Sequence, residues 1–153
     1  MRHFPVFLDL AAGPVVLVGS GAAALAKLRL LRAANASVRW SRDPDTVDLS
    51  DAMAVIAADG SAADEVIAAR ARALRIPVNV VDRPELSTFI VPAIVDRGEV
   101  VVAIGTGGLA PVLARGDADP DRFPFLRAIG APVIRAPGVA AVTIAIPAAR
   151  EAA

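Results

Sequence analysis

The sequence predicts an α/β fold with a mostly parallel sheet, and three observations carry that prediction. Val15-Val16-Leu17-Val18 is a continuous apolar run, the pattern of a strand covered on both faces. Gly19-Ser20-Gly21 follows at once and opens onto Ala22 to Asn35, where Leu25, Leu28 and Leu31 recur at helical spacing. The same order, apolar run then amphipathic segment, returns at Ala54 to Ala58 and Ala62 to Leu74. Strand, helix, strand repeated in this way describes wound βαβ units, whose strands run parallel.

The remaining elements follow in chain order. Phe4, Val6, Leu8 and Leu10 alternate as in a half-buried strand ahead of the Gly13-Pro14 turn. In the first helix Lys27, Arg29 and Arg32 are left to face solvent or a ligand, and Asn35 suits a helix end because Asn tolerates the left-handed backbone found there. Ser37 to Ser41 reads as a second short strand. In the second helix Val66, Ala69 and Ala73 form the apolar face, with Ser61 as N-cap and Asp64 in place of the usual capping-box Glu. Pro77 then starts a strand, Val78 to Val81, that ends in Asp82. Phe89 to Asp96, with Pro92, reads as a turn and a short strand, and Val100 to Ile104 as a further strand. Thr106-Gly107-Gly108 makes a turn, and Pro111 suits a first helical turn. Open α/β sheets bind ligands beyond the carboxyl ends of their strands, which puts Asp82 and Thr106-Gly107-Gly108 on one expected rim.

The glycines have a specific chemical reading. Gly19 permits a tight turn, Gly21 removes a side chain where a pyrophosphate must approach the backbone, and the following helix start offers free N–H groups. Gly19, Ser20, Gly21, Ala22 and Ala23 are therefore the expected phosphate cradle, with Ala24 standing where a third glycine is usual. About 20 residues on, the position that reads the adenosine ribose is Trp40-Ser41-Arg42-Asp43-Pro44. Asp43 there would accept from ribose hydroxyls, as for NAD, whereas Arg42 would favour the extra phosphate of NADP.

Longer motifs add a family resemblance. MRHFPVFLDL, VGSGAAALAK, and then NVVD, FIVPAIVDR and GTGGLAPVLAR in order resemble the precorrin-2 dehydrogenase / sirohydrochlorin ferrochelatase module that begins bacterial siroheme synthases. The likeness covers residues 1–44 and 48–115, with an unusually brief stretch between Asp43 and Leu49. It implies a Rossmann-like NAD-binding domain over residues 1–115 that oxidises precorrin-2 to sirohydrochlorin, with iron insertion as a second activity. It further implies Asp82 as general base, NAD adenosine contacts at Asp43 and Pro44, ferrous iron as a substrate with no resident metal, and a homodimer. A tetrapyrrole with many carboxylate arms suits Arg83, Arg97 and Arg115, since an Arg fork matches a carboxylate, and Thr106, Gly107 and Gly108 complete the expected substrate contacts. Two other readings remain beside this one. Asp82 before Arg-Pro also suits an Asx turn, which would leave a noncatalytic NAD- or tetrapyrrole-binding module. Arg42 alone would suit an NADP-dependent reductase of another small substrate.

Residues 116–153 form an atypical C-terminal segment. Gly116-Asp117, Phe125-Leu126-Arg127-Ala128, Pro132-Val133 and Pro137-Gly138-Val139 loosely resemble an internal piece of the uroporphyrinogen-III C-methyltransferase domain. The glycine-rich methyl-donor loop that begins that domain is missing, so no methyltransferase activity is expected. With 16 basic and 16 acidic residues the net charge is zero, which argues against general nucleic-acid or membrane-surface binding. The chain has no cysteine, so it makes no disulfide, thiolate nucleophile or Cys-ligated metal site, and its one histidine is His3. Without a signal-like segment or a long apolar run, a cytoplasmic protein is expected.

Overall fold

In the computed structural model, residues 3–96, 101–105 and 141–145 are described, and the chain divides into two compact units. The first, Phe7–Ile90, holds four parallel strands: β1 (Val15–Val18), β2 (Val38–Ser41), β3 (Ala54–Ala57) and β4 (Val78–Val80). They lie in the order β2-β1-β3-β4. Helix α1 (Gly21–Ala33) joins β1 to β2, and α2 (Ala63–Ala73) joins β3 to β4.

Every side chain of β1, β3 and β4 is buried, because successive residues point to opposite faces and both faces are covered. On one face Ala24, Leu28 and Leu31 of α1 pack with Val15, Leu17, Ala54, Ile56 and Ala58. On the other, Ile67, Ala68 and Ala71 of α2 pack with Val16, Val18, Val55, Ala57, Val78 and Val80. Each fully buried Val, Leu or Ile contributes about 1.5–3 kcal/mol, so this two-sided core is what holds the sheet.

Helix α2 is rotated from its expected face, and α1 keeps Leu28 and Leu31 inward but turns Leu25 out. The buried stripe of α2 is Asp64, Ile67, Ala68 and Ala71, while Val66 is 53% exposed. Spacing i, i+3, i+4, i+7 is satisfied, but one member of the stripe is an acid, which hid it among the apolar residues. In α1 the stripe is Ala24, Leu28 and Leu31, with half-buried Lys27 on the same side and Leu25 exposed. Both helices close as expected of chains with a left-handed C′ residue: Asn35 has φ +55°, and its N–H and that of Ala36 donate to Arg32 and Leu31 carbonyls. Arg75 does the same after α2 at φ +60°.

From β2 to β3 the chain crosses behind β1 without a helix. The stretch places Val47, Leu49 and Ala52 in the core on the α2 side. Arg70 of α2 clamps it, donating to the carbonyls of Pro44 (2.8 Å) and Val47 (2.6 Å). Asp43 and Asp48 each close a local turn, the latter by accepting from the N–H and hydroxyl of Ser50. At the opposite edge, Ser87 and Thr88 fold back so that their hydroxyls accept the N–H groups of Val80 and Val78, both at 2.8 Å. These bonds satisfy the open donors of edge strand β4.

The second unit carries an antiparallel sheet, β5 (Ala93–Asp96), β6 (Val101–Gly105) and β7 (Ala141–Ala145), in the order β5-β6-β7. The run at Val100–Ile104 therefore does not extend the parallel sheet. Only residues 97–100 separate β5 from β6, and a parallel pair needs a crossover of about a dozen residues or more. The strand expected over Phe4–Leu10 is also not formed: residues 4–9 have no regular structure, and Phe4, Val6, Phe7 and Leu8 are exposed. Alternation makes a strand only where another strand accepts its hydrogen bonds, and no described strand pairs with these residues. Arg97, Thr106, Gly107, Gly108 and Arg115, and with them the expected boundary at residue 115, lie outside the described residues.

Candidate functional site

A cleft of about 450 Å³ opens at the carboxyl ends of the parallel strands. Its walls are Ser20, Gly21, Ala22 and Ala23 after β1, Ala58, Asp59 and Gly60 after β3, and Val81, Asp82 and Arg83 after β4. The chain leaves β1 for β2 on one side and returns to β3 on the other, so the opening beside β1 is the topological switch point where wound sheets bind ligands. The structure thus brings Ser20 to Ala23 of the expected phosphate cradle and the expected base into one cleft, while Gly19 lies behind it and does not line it.

The glycine turn is shaped by two different demands. Gly19 has φ +127°, and a Cβ there would lie 2.5 Å from the Ala58 carbonyl carbon and 2.6 Å from the Asp59 nitrogen. Only glycine lets the β1 turn pass this close to the end of β3. Gly21 has φ +77°, and a Cβ there would meet nothing within 4 Å. Its bare face belongs to the cleft, where a ligand can approach the backbone. Ser20 is the N-cap of α1 but makes no side-chain capping bond, so the first N–H groups of the helix are left for a ligand. The loop is braced from behind by Trp40, whose indole Nε1 donates to the Gly19 carbonyl at 3.0 Å. These features fit a dinucleotide pyrophosphate: unclaimed donors at a helix start, no side chain in the way, and a rigid turn.

Asp59 and Asp64 form the β3 wall. Asp64 is 2% exposed, and its carboxylate accepts the N–H groups of Asp59 (3.1 Å) and Gly60 (2.8 Å). It is a buried reverse cap that fixes the turn from β3 into α2, the role expected of the capping-box position, reaching further upstream. Ser61, expected as N-cap, accepts the Ala63 N–H at 3.2 Å and donates to Asp59. The cap position itself is taken by Ala62.

Asp82 stands at the end of β4 on a tight turn. Arg83 N–H donates to the Val80 carbonyl at 3.2 Å, and Asp82 takes a left-handed backbone at φ +59°. A non-glycine residue there is strained by about 1–2 kcal/mol, though Asp tolerates it better than most. The Ser87 hydroxyl locks the turn from below, accepting the Val80 N–H and donating to the Arg83 carbonyl at 3.0 Å. Among the described residues the Asp82 carboxylate accepts no hydrogen bond, so it does not make the alternative Asx cap. It faces the cleft uncommitted. Strain held in place by surrounding bonds is a feature of sites where a side chain must be aimed.

Lys27 is the one inward-side cation of α1. Burial pushes its ammonium below the ordinary lysine range, an effect partly offset by the Asp82 charge. Sequence periodicity treats it as a solvent-facing residue, and its place between Ala24 and Leu31 is the signal that would have found it. Arg83 lines the cleft, but its guanidinium is engaged by Glu85 and by Glu65, the latter at 3.0 Å. The hydrogen bonds it donates to Glu85 and Glu65 raise its already high pKa. An acidic ligand arm would have to exchange with them.

Asp43 and Pro44 lie on the exposed loop after β2 and do not line the cleft. The Asp43 carboxylate accepts from the Asp45 N–H (2.9 Å) and the Thr46 hydroxyl (2.7 Å), which hold it below the ordinary carboxylate range. Arg42 lies beside Trp40, its guanidinium carbon 4.8 Å from the ring centroid. Among the described residues, no cluster of three His, Cys, Asp or Glu side chains is placed to hold a metal ion, and no helix is long and apolar enough to cross a membrane.

Comparison with known proteins agrees with this geometry. Residues 37–93 match a family model for NAD(P)-binding. The chain is 37% identical over 137 residues to a siroheme synthase of Saccharophagus degradans, which covers 75% of this chain and 30% of that protein. It is 42% identical to the siroheme synthase of Pseudomonas putida and 39% identical to that of Methylococcus capsulatus, each over 137 residues. The chain therefore spans about a third of the length of the curated relatives it matches. Among solved structures, SirC, a precorrin-2 dehydrogenase, superposes with a TM-score of 0.54 at 19% identity, covering 82% of this chain and 71% of that one. The wound parallel sheet is thus a Rossmann-like NAD(P)-binding fold.

Proposed function

We propose that this chain, a homologue of the siroheme synthases, carries out their dehydrogenase step: oxidation of precorrin-2 to sirohydrochlorin with a nicotinamide dinucleotide as hydride acceptor. The observation that carries the reading is the convergence of the glycine cradle and an uncommitted Asp82 carboxylate in one cleft. The resemblance implies NAD as the acceptor. NAD and NADP differ only at the 2′ position of the adenosine ribose, so the chemistry at the macrocycle is the same with either.

Oxidation removes two hydrogens, one as hydride and one as a proton. The bound nicotinamide supplies the hydride acceptor. Asp82 takes the proton, from a position fixed by the Val80–Arg83 turn and the Ser87 hydroxyl. The backbone donors of Gly21, Ala22 and Ala23 orient the dinucleotide, with Gly21 bare toward it and Ser20 at the cradle's start. Arg83 meets a carboxylate arm of the macrocycle by releasing its glutamates; Arg97, Arg115 and Thr106-Gly107-Gly108 serve the same macrocycle in this reading. Iron insertion into sirohydrochlorin, with ferrous iron as substrate, also displaces protons and uses the same base. The working form is a cytoplasmic homodimer.

Anaerobic turnover of precorrin-2, followed by absorbance, tests the reading. Asp82→Asn keeps the side-chain volume and removes the base. We expect it to bind the dinucleotide like the parent and to lose about 10²–10⁴ in turnover, the usual share of a general base. A parent protein that binds the dinucleotide and never turns over would instead be the noncatalytic binding module.

A further inference from the structure

At the far end of the cradle, the ribose-reading position is occupied by groups that do not suit NAD. A site selective for NAD places a carboxylate at the end of the second strand, where it accepts from the ribose 2′-hydroxyl and repels a 2′-phosphate. Here β2 ends in Ser41, a neutral hydroxyl. The Ser41 Oγ accepts the Asp43 N–H at 3.1 Å and donates to the Asp43 carbonyl at 2.9 Å, which closes a tight turn with Arg42 at its apex. The carboxylate next in sequence, Asp43, is turned into its own loop by the Thr46 hydroxyl and the Asp45 N–H.

Arg42 is left as the group that reads this position. Among the described residues it makes no ion pair, whereas Arg39 is paired with Asp51, and Arg83 with Glu65 and Glu85. Its guanidinium rests beside Trp40, 4.8 Å from the ring centroid, and the same indole donates to the carbonyl of Gly19. One side chain therefore ties the cation to the phosphate turn. Stacking leaves the N–H fork available and limits the conformations it must give up on binding. A neutral strand end, a diverted acid and a stacked guanidinium that makes no ion pair among the described residues together favour an anion over a ribose hydroxyl at this turn.

We infer that the turn after β2, which does not line the cleft itself, receives the 2′-phosphate of a dinucleotide held at the glycine turn, so that the chain takes NADP in preference to NAD, with Arg42 as the residue that decides between them. The inference rests on the dinucleotide reading of the cleft and refines which dinucleotide enters. A monoester phosphate carries a charge of about −1.5 to −2 near neutral pH. Fork hydrogen bonds to it are charge-assisted and of the stronger kind.

Calorimetric titration of the whole chain with NAD, NADP and 2′,5′-ADP, repeated with Arg42→Gln, tests this. The only tryptophan, Trp40, provides a second readout, because ligand at Arg42 must disturb its fluorescence. We expect NADP to bind about tenfold or more tightly than NAD, and Arg42→Gln to remove most of that advantage while leaving NAD affinity within about twofold. The advantage should also shrink as salt is raised, since the guanidinium is exposed to solvent. If NAD binds and NADP binds equally or more weakly, or if Arg42→Gln weakens both alike, the inference fails and the dinucleotide reading stands. If the folded chain binds neither dinucleotide, both fail together.

Discussion

Gly19 and Gly21 are separated by one residue, and the structure assigns them different work that substitution can pull apart. A methyl group at Gly19 would sit 2.5–2.7 Å from backbone atoms of Ala58 and Asp59, none of which is the end of a flexible side chain. Overpacking of this kind costs about 1–3 kcal/mol, and holding alanine at φ +127° adds about 1–3 kcal/mol. Gly19→Ala should therefore lose about 2–6 kcal/mol, a large part of the roughly 5–15 kcal/mol that holds an ordinary domain. At Gly21 the methyl meets no atom within 4 Å, so only the left-handed backbone is penalised, by about 1–2 kcal/mol. That methyl, however, stands in the cleft where the pyrophosphate must touch the helix start. Gly21→Ala should remain folded and lose dinucleotide affinity by about a hundredfold, whereas Gly19→Ala should fail first in stability. Urea unfolding and calorimetric titration of both variants check this. A folded Gly21→Ala protein that binds the dinucleotide within about twofold of the parent would refute the phosphate assignment, and an unimpaired midpoint for Gly19→Ala would refute the packing argument.

Other expectations concern the groups that support the site. Arg70→Ala removes both bonds that pin the β2–β3 crossover and leaves the Pro44 and Val47 carbonyls without their donor; it should cost about 2–4 kcal/mol, read as a lower urea midpoint. A loss under about 0.5 kcal/mol would mean the crossover is held by Val47 and Leu49 alone. Lys27→Met should stabilise the fold at neutral pH. The ammonium's folded pKa is depressed, so the unfolded chain binds its proton more readily; the penalty is full below the folded pKa, and stability recovers as pH rises through it toward the unfolded value of about 10.4. The gap between parent and Lys27→Met should accordingly close over that alkaline window, and a gap independent of pH would place the lysine's effect in packing instead.

Local chemistry was legible. The apolar runs of β1 and β3, the glycine turn and the Asn35 helix end each depend on residues adjacent in sequence, and each formed where spacing put it. Faces of helices were less so. In both α1 and α2 the inward stripe includes a charged residue, Lys27 or Asp64, and apolar periodicity passes over such members by design. Asp64 holds the Asp59-Gly60 turn of the cleft, so at least this charged member of a buried stripe serves the site. Ser87 and Thr88 carried no signal at all, since a hydroxyl that satisfies a strand edge looks like any loop residue until the chain folds back on it.

The βαβ core and its glycine turn follow from the residues alone, because backbone freedom and side-chain periodicity are properties of neighbouring residues. The sequence also carried the type of each reacting group: a carboxylate after NVV, and an arginine beside an aspartate after β2. Which of those groups is free was decided only by tertiary structure. Asp43 is occupied by its own loop, Arg83 by Glu65 and Glu85, while Asp82 and Arg42 are left uncommitted among the described residues. Availability is a matter of which partners the fold brings within hydrogen-bond reach, and those partners are distant in sequence or set by a turn geometry that spacing does not encode. For the same reason the antiparallel pairing of β5 with β6 became visible only in three dimensions, where four connecting residues leave no room for a crossover.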